Sequence, residues 1–332
     1  MPALYLVSDP VASGVPQGSV LGSLLFLLYT ADIPLIASEH RIEAHFYADD
    51  GQLYLFGRAG EAESKISRVT ECIADIDTWM SSNRLKLNSD KTQFIWLGTR
   101  YQRQKVDITS IQLGISEVKF QSNVNDLGVI IDDLLSMKDH VQRICRSSYY
   151  QLRQLRTVRK SLSMESCEAL IHAFVSSRLD YCNSLLYGIN KLQLDLLQSV
   201  LRASARLIFR KRKFDSISLE IRDKLHWLPV RKRIEFKICT TVYKCLHGGA
   251  PPYLVEMMLP VTDTPALRRL RSATRGDLII PSSKTVRFGP RSFNVSGPTL
   301  WNSLPVNIRQ CKSFESFKKQ LKTFLYLRAD ST

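Results

Sequence analysis

Apolar and polar positions follow two regimes along the chain. Residues 14–22 read GVPQGSVLG, and their glycine and proline punctuation predicts a loop. The apolar run Leu21 to Leu28 follows and is long enough for a buried helix. In residues 42–56, IEAHFYADDGQLYLF, two aromatic-rich segments flank Asp49-Asp50-Gly51. Asp-Gly between strand-like runs is a strong short-range hairpin signal. Ile66, Val69, Ile73, Ile76 and Met80 recur at helical spacing in residues 61–82, with polar residues between them, which predicts an amphipathic helix. Leu85–Leu87 and Gln93–Leu97 predict strands. Helix, hairpin, helix and strands in that order describe an α+β fold built on an antiparallel sheet.

The second regime is helical. Residues 127–131 predict one more strand. From about Lys138 to Leu259 apolar stripes alternate with Arg and Lys, predicting helices near 138–160, 164–187, 191–211 and 230–247. Residues 260–310 are rich in Pro, Gly, Ser and Arg and read as extended or loop-like, and 314–327 predict a last amphipathic helix. The pattern divides the chain at 98, 160 and 259, giving segments 1–98, 99–160, 161–259 and 260–332.

Charge sharpens this division. Residues 1–100 carry 8 Lys+Arg and 12 Asp+Glu, whereas residues 101–332 carry 38 and 19. The excess peaks between Arg202 and Lys244, with 13 basic and 4 acidic residues. A field of that sign attracts a phosphate backbone. The runs Arg210-Lys211-Arg212-Lys213 and Arg231-Lys232-Arg233 are the candidate nucleic-acid contacts, and the solvated end of a helix gives the same pattern. The composition, 44% apolar and 23% charged over 332 residues, is that of a folded globular chain. The apolar run at 20–29 is about half a membrane span, and Asp32 interrupts its continuation, so neither a membrane partner nor a secretion signal is expected. Seven cysteines without a C-x-x-C pair predict thiols in a reducing compartment, nuclear or cytoplasmic, rather than a disulfide frame or a zinc site. Cys239, Cys245 and His247 lack structural zinc spacing, and Trp227 and Trp301 suit core packing better than base stacking.

The chemistry concentrates at the hairpin. Two adjacent carboxylates at a turn suit a hard cation, because Mg²⁺ takes a few carboxylates together with substrate phosphates. Asp-Asp-Gly is equally ordinary turn chemistry. The wider context favours the cation. The loop from Ser13 to Gly22, the apolar run, and Phe46-Tyr47-Ala48-Asp49-Asp50 together resemble the palm of the reverse transcriptases of non-LTR, LINE-type retrotransposons. Asn83-Arg84-Leu85-Lys86-Leu87-Asn88 with Lys91-Thr92 is similar to the next palm motif. Leu127-Gly128-Val129 onward to His140 resembles the approach to the thumb. Gly297-Pro298, Leu300-Trp301-Asn302-Ser303-Leu304-Pro305 and Phe317-Lys318-Lys319 resemble the tail of jockey-like and chicken-repeat-like elements.

The resemblance implies an RNA-directed DNA polymerase acting on an RNA template, a DNA primer and deoxynucleoside triphosphates through a two-ion Mg²⁺ site. It implies that Asp49 is a metal ligand and Asp50 its support, that Pro16, Gln17 and Gly18 contact template and nucleotide, and that Lys91 assists the leaving pyrophosphate. It implies a partial palm over 1–98, followed by a basic, mostly helical thumb and C-terminal region. A polymerase palm also needs a metal-binding aspartate well upstream of the loop. Only Asp9 precedes Gly14, in the wrong context, so an incomplete, inactive site in an N-terminally truncated copy is expected. The alternative is a catalytically dead remnant that holds nucleic acid through its basic helical half.

Overall fold

The computed structural model describes residues 19–113, 116–263, 275–283, 285–286 and 288–328. The chain divides into two compact units, residues 1–128 with 132–134, and 129–131 with 135–332. The contacts therefore separate near residue 130, while 98 lies inside the first unit and 160 and 259 inside the second.

The first unit opens with helices α1 (Gly22–Tyr29) and α2 (Ile33–Glu39). Residues 22–39 have the length and mean hydropathy, 1.2, of a membrane-crossing stretch, yet a turn at Thr30–Asp32 divides them into these two helices. The expectation of a buried helix at 21–28 is corrected. No residue of α1 is buried, and Leu24, Leu25, Leu27 and Leu28 are all exposed. An apolar run states a preference for cover, and the described residues supply none for this helix.

A hairpin follows, β1 (Glu43–Tyr47) and β2 (Asp50–Tyr54), antiparallel with Tyr47 opposite Asp50 and Phe46 opposite Gly51. Alternation along the strands puts Ala44, Phe46 and Leu53 on one face. They pack with Ile33, Ala37, Cys72 and Ile76 of the neighbouring helices and with Ile42 just before β1. Helix α3 (Ala62–Ser82) carries the expected stripe, buries Cys72, Ile73 and Ile76, and joins this cluster to a second one containing Ile111 and Leu113.

The rest of the unit differs from the sequence reading. Leu85–Leu87 is not a strand, and the predicted strand at 93–97 shortens to β3 (Phe94–Ile95). After a single helical turn, α4 (Arg100–Arg103), come β4 (Ser110–Leu113) and β5 (Ser116–Gln121). β5 lies between its neighbours, antiparallel to β4 and parallel to β3, so this sheet is mixed rather than antiparallel. The strand β6 (Asn123–Asp126), the left-handed Leu127-Gly128 turn and β7 (Val129–Asp132) lead the chain out of the unit. The segment expected to provide connection and thumb-like helices thus holds four strands before its one long helix. Of these, β7 is the strand expected at 127–131, whereas β4, β5 and β6 are short and interrupted by polar residues, and their alternation is too brief to register.

The second unit is helical as expected. Its first helices are α5 (Lys138–Val158), α6 (Met164–Ile171), the single turn α7 (Ser177–Asp180), α8 (Lys191–Ile208) and α9 (Val230–Leu246). A π-turn at His172–Ser176 joins α6 to α7. Two of these helix starts are capped by a short polar residue. Ser163 accepts from the Ser166 N–H at 3.0 Å, and Asn190 from the Gln193 N–H at 2.9 Å. One turn, α10 (Pro252–Val255), precedes residues 260–310, which are not simply extended: they contain α11 (Phe293–Asn302) and α12 (Val306–Arg309). Pro298 sits inside α11 and hides its helical character from a composition-based reading. The expected last helix is α13 (Phe314–Leu327), capped by Ser313. Helices α8, α11 and α13 pack on α9, around Trp301, Phe317, Leu197, Leu201 and Ile238, each less than 3% exposed.

Candidate functional site

The acidic turn is built by the hairpin's register. Ala48 and Asp49 are the two turn residues, and Asp50 is already the first residue of β2. The Asp-Gly signal, at Asp50-Gly51, therefore placed the turn two residues too late. Gly51 is required for another reason: a Cβ there would lie 2.6 Å from the Phe46 ring, which folds across its backbone. Ala48 takes the left-handed conformation at φ 54°. For a residue with a Cβ this costs about 1–2 kcal/mol. Such strain is found where surroundings enforce a turn, functional sites included.

Asp50 and Gln52 share the face of β2 opposite to the packed one, with Tyr47 and His45 as their cross-strand neighbours. Asp49, Asp50, His45 and Tyr47 are exposed. A third carboxylate reaches this face: Gln52 Nε2 donates to Asp126 Oδ1 of β6 at 2.5 Å. Burial pushes the Asp126 carboxyl above its ordinary range and the Asp50 charge pushes it further, against the lowering effect of the Gln52 hydrogen bond and of His45. Sequence reasoning missed Asp126, which lies 74 residues from Gln52 in a polar strand with no motif of its own.

Lys91 lies exposed on a separate turn, where its backbone N–H bonds to Asn88 O at 3.1 Å and Asn88 Oδ1 at 3.3 Å. Lys86, Asn88, Ser89 and Asp90 of the same turn line a shallow depression of about 350 Å³. Pro16, Gln17 and Gly18 lie outside the described residues. Among the described residues no group of three His, Cys, Asp or Glu side chains is arranged to hold a metal ion. The turn thus offers an open edge of two carboxylates, and the residues described do not complete a two-ion site.

Comparison with known proteins bears on this hairpin directly. Residues 8–131 match the family described as reverse transcriptase (RNA-dependent DNA polymerase). Residues 8–131 belong to the reverse transcriptase family. The match closes where the first compact unit gives way to the second. The chain is 28% identical over 160 residues to a probable RNA-directed DNA polymerase from transposon BS of Drosophila melanogaster, covering 46% of this chain and 17% of that protein. It is 23% identical over 188 residues to the RNA-directed DNA polymerase from mobile element jockey of the same species, covering 54% and 20%. The jockey polymerase of Drosophila funebris gives 24% over 187 residues, again 54% and 20%. These are non-LTR elements, so the reverse transcriptase is of non-LTR type. The matched stretches cover at most 20% of the relatives' length. No solved structure matches the chain.

In the unit beyond the reverse transcriptase match, the two basic runs are placed unlike each other. Arg212 and Lys213 are exposed, and the Lys213 ammonium lies 5.4 Å from the Phe214 ring centroid. Lys211 is engaged by Glu220 and by Ser216 O, and Arg210 by Arg159 O and Lys160 O at 3.5 Å. In the second run, Lys232 pairs with Glu235 at 2.9 Å. Arg233 pairs with Asp180 at 2.8 Å, donates to Leu228 O, and lies over the buried Trp227 ring. Arg231 alone of that run is largely exposed, 3.4 Å from Glu235. Trp227 and Trp301 are both buried.

Proposed function

We propose that the first unit of this chain is part of the palm of an RNA-directed DNA polymerase from a non-LTR retrotransposon, and that the Ala48–Asp49 turn is the edge presented to the primer 3′-end. The observation that carries this reading is the coincidence of two exposed carboxylates on the polar face of a hairpin with a reverse transcriptase match across the same residues. The substrates are a DNA primer, an RNA template and deoxynucleoside triphosphates. The ion suited to Asp49 and Asp50 is Mg²⁺. Among the described residues the two-ion site lacks a third ligand, which supports the reading of a chain that does not polymerise by itself. Its free cysteines fit a reducing nuclear or cytoplasmic compartment.

Photo-crosslinking tests the location without depending on turnover. A primer ending in 4-thiothymidine, annealed to RNA and irradiated with the purified chain, is expected to label a peptide within residues 43–54. Tyr47, 65% exposed, is the adjacent acceptor. Labels confined to other peptides sink the assignment. In primer extension with Mg²⁺, parent and Asp49→Ala proteins are expected to give equal background. Incorporation lost only in the variant would show that the site is complete after all.

A second reading rests on charge. Residues 101–332 carry twice as many basic as acidic side chains, which supports a unit that holds nucleic acid without catalysis and is indifferent to Asp49→Ala.

A further inference from the structure

We infer that the outer face of the α5–α8 helix pair is a phosphate-backbone binding surface for nucleic acid. The inference rests on the second reading above, and it centres the contact surface off both basic runs, meeting the first of them only at Arg210.

The two helices lie side by side and run the same way. Tyr149 Oη of α5 is hydrogen-bonded to Ser199 Oγ of α8 at 2.9 Å. Ten residues further on, Arg159 reaches Leu207 O at 2.8 Å and Ile208 O at 2.6 Å. These tethers fix which stripes face outward at the seam. On α5 the ridge containing Tyr149 continues through Arg146, Arg153, Arg156 and Lys160, all exposed. On α8 the ridge containing Ser199 continues through Arg202 and Arg206, and Arg210 follows in the turn just past the helix end. Because Tyr149 and Ser199 touch each other, the two ridges border one seam.

Seven cations therefore line a strip about 21 Å long, taking 1.5 Å per residue over Arg146 to Lys160. A strip of that length spans roughly six phosphates of one strand at 3.4 Å each along the axis. No acidic residue occurs between Asp139 and Glu165, and Asp195 is the only acid between Tyr181 and Phe214. Both helix acids lie toward the N-terminal ends, so the C-terminal two-thirds of the strip is wholly basic. Among the described residues no ion pair or hydrogen bond engages the side chains of Arg146, Arg153, Arg156 or Arg202. Arg206 and Arg210, by contrast, are turned to the carbonyls of Asp215, Arg159 and Lys160. Four unpaired guanidiniums flanking an exposed tyrosine are a costly concentration of like charge for a solvated surface. They match a polyanion, which guanidinium forks bind in bidentate fashion.

Fluorescence anisotropy of a labelled RNA–DNA hybrid, with single-stranded RNA as a second arm, tests the surface. The triple variant Arg153→Gln/Arg156→Gln/Arg202→Gln spares every residue that holds a backbone carbonyl. It is expected to weaken binding at least ~10-fold and to lower the slope of log Kd against log salt by about 2–3. Lysine at the same three sites is expected to restore most of the affinity. A charge-matched control on α13 and its approach, Lys312→Gln/Lys319→Gln/Lys322→Gln, is expected to bind nearly as the parent does. Equal losses in the two glutamine variants, or none in the first with an unchanged circular-dichroism melt, overturn the assignment. A parent chain that binds neither probe overturns the nucleic-acid reading itself. The first unit's identity as a reverse transcriptase is separate from that outcome.

Discussion

Arg309→Met is expected to cost the second unit about 3–5 kcal/mol of stability, the penalty for leaving a buried charge without its partner. Arg309 is 4% exposed at its side chain, and its guanidinium bonds to Asp277, 10% exposed. Arg275 bonds the other carboxylate oxygen at 2.8 Å, but its side chain is 58% exposed and water screens it. Methionine keeps the apolar volume of Arg309 and removes only the charge, so the loss reports the stranded Asp277 carboxylate. Among the described residues Arg309 Nε has no hydrogen-bond partner, so the native pair is itself imperfectly satisfied there. The double variant Arg309→Met/Asp277→Leu is therefore expected to recover most of the loss, which urea titration of both proteins checks. A double variant as unstable as the single one would mean that shape, not charge, holds this corner. The pair also sets an acid limit. Burial alone would raise the Asp277 carboxyl, but the hydrogen bonds and charges of Arg309 and Arg275 together outweigh it and hold it below its ordinary value. A depressed folded-state pKa contributes stability that is complete above the unfolded value, near 3.9, and is lost as pH falls through the folded one. The parent's stability is expected to decline in that acid window, and the double variant to lose this part of the decline.

Phe317→Ala is expected to cost about 3–5 kcal/mol by emptying the centre of the same unit. Phe317 is fully buried. Its ring centroid lies 4.4 Å from that of Tyr243 in a stacked arrangement and 5.8 Å from that of Trp301. Both neighbours are held from elsewhere: Tyr243 Oη donates to Cys311 O at 2.9 Å, and Trp301 Nε1 to Gly276 O at 3.1 Å. Pinned walls cannot close over the space, so the loss falls toward the upper end of that range. Phe317→Leu, which fills most of the volume, is expected to cost less than about 1.5 kcal/mol. Tryptophan fluorescence of the urea transition reads both, and similar losses in the two variants would sink the packing argument.

The long helices were legible in the sequence because each repeats its apolar stripe over several turns, as α3, α5, α8, α9 and α13 do. The strands of residues 110–126 were not, because β4 and β6 have four residues each and Glu117, Lys119, Asn123 and Asp126 interrupt any apolar rhythm. Periodicity also cannot say whether a partner surface exists, which is why the leucines of α1 suggested burial and are exposed among the described residues. At the acidic hairpin, Asp49 and Asp50 were readable from local chemistry. Asp126 was not, since nothing in the sequence links a polar strand to a turn more than 70 residues earlier. Charge misleads in the same way. Arg231-Lys232-Arg233 is conspicuous as a run yet largely committed to Glu235 and Asp180. The cations of α5 and α8 are scattered at helical spacing and converge only once the helices pair.

The parallel course of α5 and α8 has an electrostatic consequence of its own. Each helix carries a macrodipole equivalent to about half a negative charge at its C-terminus. Antiparallel neighbours would cancel these partial charges, whereas this pair adds them, placing roughly one full negative charge where the two helices end together. Arg159 sits at that point with its guanidinium on the Leu207, Ile208 and Leu162 carbonyls, and Lys160 and Arg210 lie beside it. These cations are largely spent on neutralising the helix ends. The attractive potential of the face is consequently centred not on its most crowded end but one to two turns back, over Arg153 and Arg202.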